Sequence, residues 1–303
     1  MKTNFDIDAL RAVVSGIEQG SFARAAIELG RSQSAVSMQL KKLEQQAGVQ
    51  LFVRKGRGLV PTEAGEAFAD YARRIIALND EAARAVGAPV APETVWLGLP
   101  QDFCDDVMPA TVQAFANAHP DVHVAVRAGN NHTLNNEIEA GRLDGAIAFF
   151  PDNSGAKGEL LCKLPIRWLA HAGFDQPAEG ATVPLVLFNH PCLFRQAALA
   201  SLDKAGRRWR AVLTTPSLPA IWAGLRSGFG IGVRIEHSVP DDIATVGHWP
   251  ALPDLPPVEL RLLGAQTASP AARDLLSVLR RATMDFVEGA EPTVPTAREG
   301  ALT

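Results

Sequence analysis

The sequence has little cysteine: three residues in 303, at positions 104, 162 and 192. Three widely spaced thiols build no disulfide framework. Long apolar runs are missing too, and the uncharged apolar stretches fall well short of the roughly 20 residues a membrane span needs. The first residues, Met1-Lys2-Thr3-Asn4-Phe5-Asp6, lack the apolar core of an export signal. These absences point to a cytoplasmic chain with no membrane partner. No nucleophile–base constellation is evident, so no enzyme is read from the residues and no cofactor is expected. Gly228-Phe229-Gly230-Ile231-Gly232 has the look of a phosphate loop, but it follows a predicted helix and precedes a strand, the reverse of a dinucleotide turn. Those glycines are read as ending the helix and bending the chain. His119-Pro120-Asp121-Val122-His123 has metal-binding residue types, yet it falls on a helix-to-strand turn. No metal site is assigned.

What is present is an ordinary globular composition, 47% apolar. At this length the chain can hold one small and two medium lobes, each with its own core. The net charge of −4 is unevenly spread. Residues 24–57 carry seven basic side chains (Arg24, Arg31, Lys41, Lys42, Arg54, Lys55, Arg57) against Glu28 and Glu44, a local charge of +5. A basic patch on an otherwise acidic chain suits directed binding to DNA rather than general polycation behaviour.

The helix pattern of that region is explicit. Leu10, Val13, Val14 and Ile17 form one apolar face, and Phe22, Ala25, Ala26 and Leu29 form a second. Ser21 and Ser32 are placed to cap helix starts, and Gly30 suits the position just past a helix end. A third helix starts near Ser32 with Val36, Leu40 and Leu43 as its buried seam. Ser34, Ser37, Met38 and Lys41 then point outward, with Gln33 in the first turn. Hydroxyls and an amide can bond base edges or phosphates, and a methionine can touch a thymine methyl. With a basic wing over Leu51-Phe52-Val53-Arg54 and a new helix after Pro61, this is the layout of an all-α winged helix-turn-helix. The expected DNA contacts are Ser32, Gln33, Ser34, Ser37, Met38, Lys41, Arg54, Lys55 and Arg57.

The same stretch resembles the N-terminal domain of LysR-type transcriptional regulators. The elements that carry the resemblance are Gly20-Ser21-Phe22, Ala25-Ala26, Leu29, Gln33-Ser34-Ala35-Val36-Ser37, Leu43-Glu44, Gly48, Leu51-Phe52, Arg54 and Thr62-Glu63-Ala64-Gly65. Ser34 departs from the proline that many members carry.

The helix after Pro61 carries a heptad seam: Ala64, Phe68, Tyr71, Ile75, Leu78, Ala82 and Ala85. From Thr62 to Val86 it would run roughly 35–40 Å. A rod of that kind with a domain on each side reads as a dimer helix, with Phe68, Tyr71, Ile75 and Leu78 at the interface. The resemblance implies the same, and implies tetramers as well. Two copies would read a partly palindromic site.

Gly87-Ala88-Pro89-Val90-Ala91-Pro92 reads as a hinge. Beyond it strands and helices alternate: strands at Val95–Leu99, Val122–Val126, Gly145–Phe150, Pro184–Phe188, Trp209–Thr214, Ile231–Ile235 and Val258–Leu263. The helices between and after them fall at about 105–118, 132–140, 195–205, 218–227 and 270–287. This is βαβ construction. It resembles the family's two-lobed α/β effector domain, which is like a periplasmic binding protein. The expected organisation is a reader at 1–60, a linker helix at 61–87, lobe 1 at 92–165 and 260–288, lobe 2 at 166–259, and a disordered tail at 289–303. Pro100-Gln101-Asp102-Phe103, Cys192-Leu193-Phe194-Arg195, Trp209 and Thr215-Pro216-Ser217-Leu218 further resemble the LrhA, PecT and HexA branch of the family, in which effectors are poorly defined.

In open parallel sheets ligands sit outside the carboxyl ends of strands, near helix starts that favour anions. Asp102, Phe103, Asn130, Asn131, Arg195 and Ser217 are therefore the expected ligand contacts, with Asp102 able to select an amine or hydroxyl or to pair with Arg195. The reading is a sequence-specific transcriptional regulator whose partners are double-stranded DNA, further copies of itself, a small-molecule effector and, as a further candidate, RNA polymerase. Two alternatives stand beside it. One is the same regulator run by thiol redox at Cys104 and Cys192, or without a ligand, because helix starts lower thiol pKa values. The other is an enzyme or transport-type binding protein built on the α/β half.

Overall fold

The computed structural model describes residues 4–55, 58–88, 93–178, 180–246, 249, 252–265 and 268–289. Arg57, most of the expected hinge and the tail beyond Gly289 lie outside the described residues.

The N-terminal unit consists of α1 (Ile7–Glu18), α2 (Phe22–Glu28), α3 (Gln33–Ala47), an antiparallel hairpin of β1 (Phe52–Lys55) and β2 (Gly58–Pro61), and α4 (Glu63–Ala85). The side chains of Asp6, Ser21 and Ser32 cap the first three helices by accepting the N–H groups of Ala9, Arg24 and Ala35. Leu10, Val13, Ala26, Val36, Leu40 and Leu43 form the core, closed by Leu51 and Phe52 of the wing and by Ala69 and Ala72 of α4. Glu44 fixes where the wing begins, because one carboxylate oxygen accepts the N–H groups of both Leu51 and Phe52, at 2.9 and 3.0 Å. Thr62 ties α4 to the same place: its hydroxyl donates to the Gln50 carbonyl and accepts the Gly65 N–H. Residue 65 must be glycine there, since a Cβ would lie 2.0 Å from the Leu51 carbonyl oxygen. The Thr-Glu-Ala-Gly signature is thus the joint that sets α4 against the wing.

The α/β half begins with β3 (Thr94–Pro100), a 3-10 turn over Gln101–Phe103, α5 (Val107–Ala118), β4 (His123–Gly129), α6 (Asn131–Glu139), β5 (Gly145–Pro151) and β6 (Glu159–Leu164). It continues with β7 (Ile166–His171), β8 (Val183–Phe188), α7 (Leu193–Lys204), β9 (Trp209–Thr215), α8 (Leu218–Arg226), β10 (Gly232–Ile235), β11 (Ile243–Thr245), β12 (Val258–Gly264) and α9 (Pro270–Gly289). Two sheets result. The first has the order β4-β3-β5-β12-β6, with β3 parallel to β4 and β5, and β12 antiparallel to β5 and β6. In the second, β8 runs parallel to β9, and β10-β7-β11 are antiparallel. A parallel bridge from Leu185 to Ile231 joins these pieces into the order β9-β8-β10-β7-β11. The two lobes therefore repeat one plan.

The chain leaves the first sheet at Pro165, between β6 and β7, and returns before Val258, so the expected return at 260 falls inside β12. Three strands were not expected, β6, β7 and β11; β7 is buried along most of its length, a short apolar run with no alternation to mark it. Glu159-Leu160-Leu161-Cys162-Lys163-Leu164 lacks strict alternation because β6 is an edge strand, and β11 is only three residues long. One apolar core runs through both lobes, and Phe149 of β5 meets Phe194 of α7 with ring centroids 5.2 Å apart.

Candidate functional site

The outward face of α3 is free of packing. Gln33, Ser34, Ser37, Met38 and Lys41 are all exposed, Met38 at 70%. Ser32 is occupied as the helix cap, and its hydroxyl also lies 3.0 Å from that of Ser34. Arg54 and Lys55 stand exposed on β1. Arg31 is paired with Asp8 at 2.6 Å, and Arg24 donates to the Gln19 carbonyl, so these two cations serve the domain's own structure.

On α4 the seam divides. Phe68 packs edge-on against Phe5, centroids 5.0 Å apart, inside its own unit. It was expected at the dimer interface; within the chain it packs on the reader's core, as Ala69, Ala72 and Ile76 do further along α4. Tyr71, Ile75 and Leu78 are 63%, 41% and 67% exposed, an apolar stripe at i, i+4 and i+7 along which only the Arg74 guanidinium, 5.6 Å from the Tyr71 ring centre, makes a ring contact among the described residues.

Between the lobes lies a cleft with a cavity of about 90 Å³. Lobe 1 lines it with Pro100-Gln101-Asp102 after β3, Gly129-Asn130-Asn131 after β4, and Phe149. Lobe 2 lines it with Phe188-Asn189-His190 after β8, Cys192-Leu193-Phe194 at the start of α7, Pro216, and Arg234 of β10. These are loops at carboxyl ends of parallel strands, where such sheets hold ligands. The loops that follow β3, β4, β8 and β9 all reach the cleft.

The individual side chains are another matter. Asp102, Asn130 and Asn131 line the cleft, but Phe103 is fully buried against Phe149 and Phe286, as part of the lobe core. Its neighbour Asp102 faces the opening, and the tight 3-10 turn sends the two side chains apart. Arg195 lines a smaller adjoining cavity and donates to the Phe188 carbonyl at 3.1 Å. It does not pair with Asp102. That place belongs to Arg234, whose Nε lies 3.8 Å from an Asp102 oxygen. Ser217 is spent on capping α8, where it accepts the Ala220 N–H. The rest of that helix start is also filled. Gln101 reaches across the cleft, accepting the Leu218 N–H at 2.8 Å and donating to the Pro216 carbonyl at 3.1 Å, while Pro219 has no N–H. An anion at α8 would have to displace Gln101. Sequence reading missed Arg234 and Gln101. Arg234 sits alone in an apolar strand where no spacing flags it, and the Gln101 contact spans more than a hundred residues.

Two family models match the chain. One is described as "Bacterial regulatory helix-turn-helix protein, lysR family" and covers residues 7–66. The other, "LysR substrate binding domain", covers residues 91–284. The chain belongs to the LysR family of transcriptional regulators. It is 34% identical to the HTH-type transcriptional regulator PecT of Dickeya dadantii, over 84% of this chain and 79% of that protein. It is also 34% identical to DgdR of Burkholderia cepacia, over 86% of this chain and 87% of that protein. Among solved structures, ArgP from Mycobacterium tuberculosis superimposes with a TM-score of 0.67 at 21% identity, covering 92% of this chain and 97% of that one, which shows the shared fold.

A LysR-family regulator with a DNA-binding helix-turn-helix and a substrate-binding domain accounts for the reader and the cleft together. The thiol-redox alternative is not favoured. Burial pushes the Cys104 thiol up from its ordinary value, helped by Asp105 and Asp102, and its Sγ lies 3.6 Å from the Pro100 carbonyl oxygen, so it holds its proton at neutral pH. The expected lowering at a helix start loses to desolvation. His119 stacks on Phe115 and lies 3.3 Å from Asp274. A Cβ at Gly230 would lie 2.5 Å from the Pro184 carbonyl oxygen, so that glycine serves the approach of β8 to the chain entering β10. Among the described residues no helix is long and apolar enough to cross a membrane.

Proposed function

We propose that the chain works in the cytoplasm as a dimer or a dimer of dimers that reads DNA through the free face of α3 and the wing, and that a small molecule in the inter-lobe cleft alters that reading. The observation that carries the DNA half is the exposed row Gln33, Ser34, Ser37, Met38 and Lys41 on one face of α3. Ser32 positions this row, and Arg54, Lys55 and Arg57 of the wing supply phosphate contacts. The exposed stripe Tyr71, Ile75 and Leu78 supports pairing of two α4 helices. RNA polymerase is a further partner of such an assembly. The relation to PecT supports placing the effector half with that branch, and relatives named as regulators support a chain without catalytic turnover. In this reading the reader spans residues 1–60 and the linker 61–87. Lobe 1 comprises 92–165 and 258–288, and lobe 2 comprises 166–257.

A physical route joins the cleft to the reader. Asn130, at the cleft, caps the start of α6 by accepting the Thr133 N–H at 2.9 Å. At the other end of α6, Glu137 holds Arg142 at 3.0 Å, and Arg142 lies 3.8 Å from Asp70 on α4. Asp70 in turn binds Arg73, which reaches Glu18 of α1. A ligand that binds one arrangement of the lobes better than another shifts the balance along this chain, and only differential affinity can do so.

The test is a thermal-shift screen of the full chain against small carboxylates, aromatic acids, amino acids and polyols. An effector at about 100 times its Kd adds about 2.7 kcal/mol, a rise of roughly 5–10 °C at this size. No shift from any class contradicts the cleft reading.

A further inference from the structure

We propose that the cleft takes a small α-amino acid with an apolar side chain, its carboxylate received by Arg234 and the starts of α6 and α7, its ammonium by Asp102. The inference deepens the cleft reading above and rests on it.

Arg234 is the central observation. It is 4% exposed, lines the cleft, and its Nε is buried with no hydrogen-bond partner among the described residues. Its guanidinium lies 3.8 Å from the centre of the Phe188 ring and 4.9 Å from that of Phe194. Aromatic faces attract a cation but accept none of its in-plane N–H donors. Asp102, 7% exposed, is the one carboxylate within 4 Å of it among the described residues, at 3.8 Å, too far for a hydrogen bond. Two opposite charges are thus held in a nearly dry site without a hydrogen bond between them, and the Arg234 Nε has no acceptor to offset its burial. That is a costly arrangement for a structural ion pair and an apt one for a ligand-binding pair.

Charge decides the ligand class. A simple carboxylate would satisfy Arg234 but press an anion against Asp102. A simple amine would satisfy Asp102 and leave Arg234 without an anion. A polyol matches hydrogen-bond donors but neutralises neither charge. A zwitterion with both groups on one carbon answers both residues, and its net charge of zero matches that of the pair. The backbone agrees on where the carboxylate belongs. The start of α8 is filled by Gln101 and Ser217. The starts of α6 and α7 are not: Asn130 takes only the Thr133 N–H, and Cys192 makes no side-chain cap at all. Their first-turn N–H groups, which a helix does not satisfy by itself, favour an anion. Phe149, Phe188 and Leu193 leave an apolar wall for the side chain.

Four isosteric probes test this on the full chain by isothermal titration: leucine, 2-hydroxy-4-methylpentanoate, 4-methylpentanoate and 3-methylbutylamine. Leucine is expected to bind, the hydroxy acid more weakly, 4-methylpentanoate at least tenfold more weakly, and the amine not at all. Arg234→Gln should abolish leucine binding. Asp102→Asn should bring leucine and 4-methylpentanoate to within about threefold of each other, a levelling that a general loss of fold cannot produce. Equal binding of leucine and 4-methylpentanoate to the wild type overturns the proposal, as does leucine binding undiminished in Arg234→Gln. Silence from all four probes overturns it too. In that case a thermal shift from another compound class that is lost in Asn131→Ala keeps the cleft as the sensor and removes only the zwitterion. No shift from any class removes both.

Discussion

The reader and the cleft both present polar side chains, but they hold them in opposite ways. On α3 the side chains of Gln33, Ser34, Ser37, Met38 and Lys41 stand in water on one face of a helix. In the cleft Asp102 and Arg234 are nearly dry, with the arginine against the rings of Phe188 and Phe194 and its Nε without an acceptor among the described residues. Exposure makes the first site inexpensive to keep and dependent on many weak contacts, with affinity set by salt and by avidity. Burial makes the second expensive to keep and dependent on a few strong contacts. The expected consequences of mutation differ accordingly.

The largest effect should come from removing avidity at the reader. Tyr71→Glu with Leu78→Glu places charges in the α4 stripe. The protein should sediment as a monomer, and operator affinity should fall by about 100-fold or more, since the second half-site no longer binds as one unit with the first. A variant that stays dimeric by analytical ultracentrifugation contradicts the seam. Next is Gly65→Ala, which drives a Cβ into the Leu51 carbonyl. The joint between wing and α4 should lose about 1–3 kcal/mol, read as a lowered melting temperature, while the α/β half keeps its ligand response.

Smaller, and more diagnostic, are changes on α3 itself. Ser37→Ala or Gln33→Ala should weaken binding to operator by up to about tenfold, the value of one hydrogen bond, and leave binding to random DNA as it was. Lys41→Ala should weaken both and reduce the salt slope by about 1. Fluorescence anisotropy over a salt series reads both. Arg142→Ala tests the link between the regions: ligand and operator should each bind as before, but ligand should alter operator affinity by about 1 kcal/mol less.

The smallest effect concerns pH. Asp144 accepts the Trp96 N–H at 2.8 Å, and burial raises its carboxyl above the ordinary value. A raised folded-state value means the folded chain holds this proton better than the unfolded one. The contribution is therefore present below the usual carboxylate range and is lost as pH rises through the folded-state value. Asp144→Asn should flatten that part of the stability profile in denaturant titrations at several pH values.

How much of each region was legible follows from the same contrast. The reader is built from local patterns: caps at Ser21 and Ser32, a seam of Val36, Leu40 and Leu43, and an outward face fixed by helical phase. All of these survive in the structure. The α/β alternation was legible for the same reason, and the strands it missed, β6, β7 and β11, are an edge strand, a short buried one without alternation and a three-residue one. The cleft is assembled from segments more than a hundred residues apart. Loop positions could be inferred from strand ends, but which side chain turns inward could not. Phe103 went to the core, Arg195 to a neighbouring carbonyl and Ser217 to a cap, while Arg234 came from a strand whose pattern reads as apolar. Phe68 shows the same limit on α4, where a heptad seam does not say at which turn the helix leaves its own domain.

The most direct test of the account is selection of binding sites from random double-stranded DNA by the full chain, run beside a Gln33→Ala, Ser37→Ala double variant. The account predicts an enriched, partly palindromic sequence with half-sites about one helical turn or a multiple of it apart, lost or degenerate at its core with the variant. No enrichment by the wild type, or the same sequence from both proteins, would contradict the assignment of the α3 face as the reader.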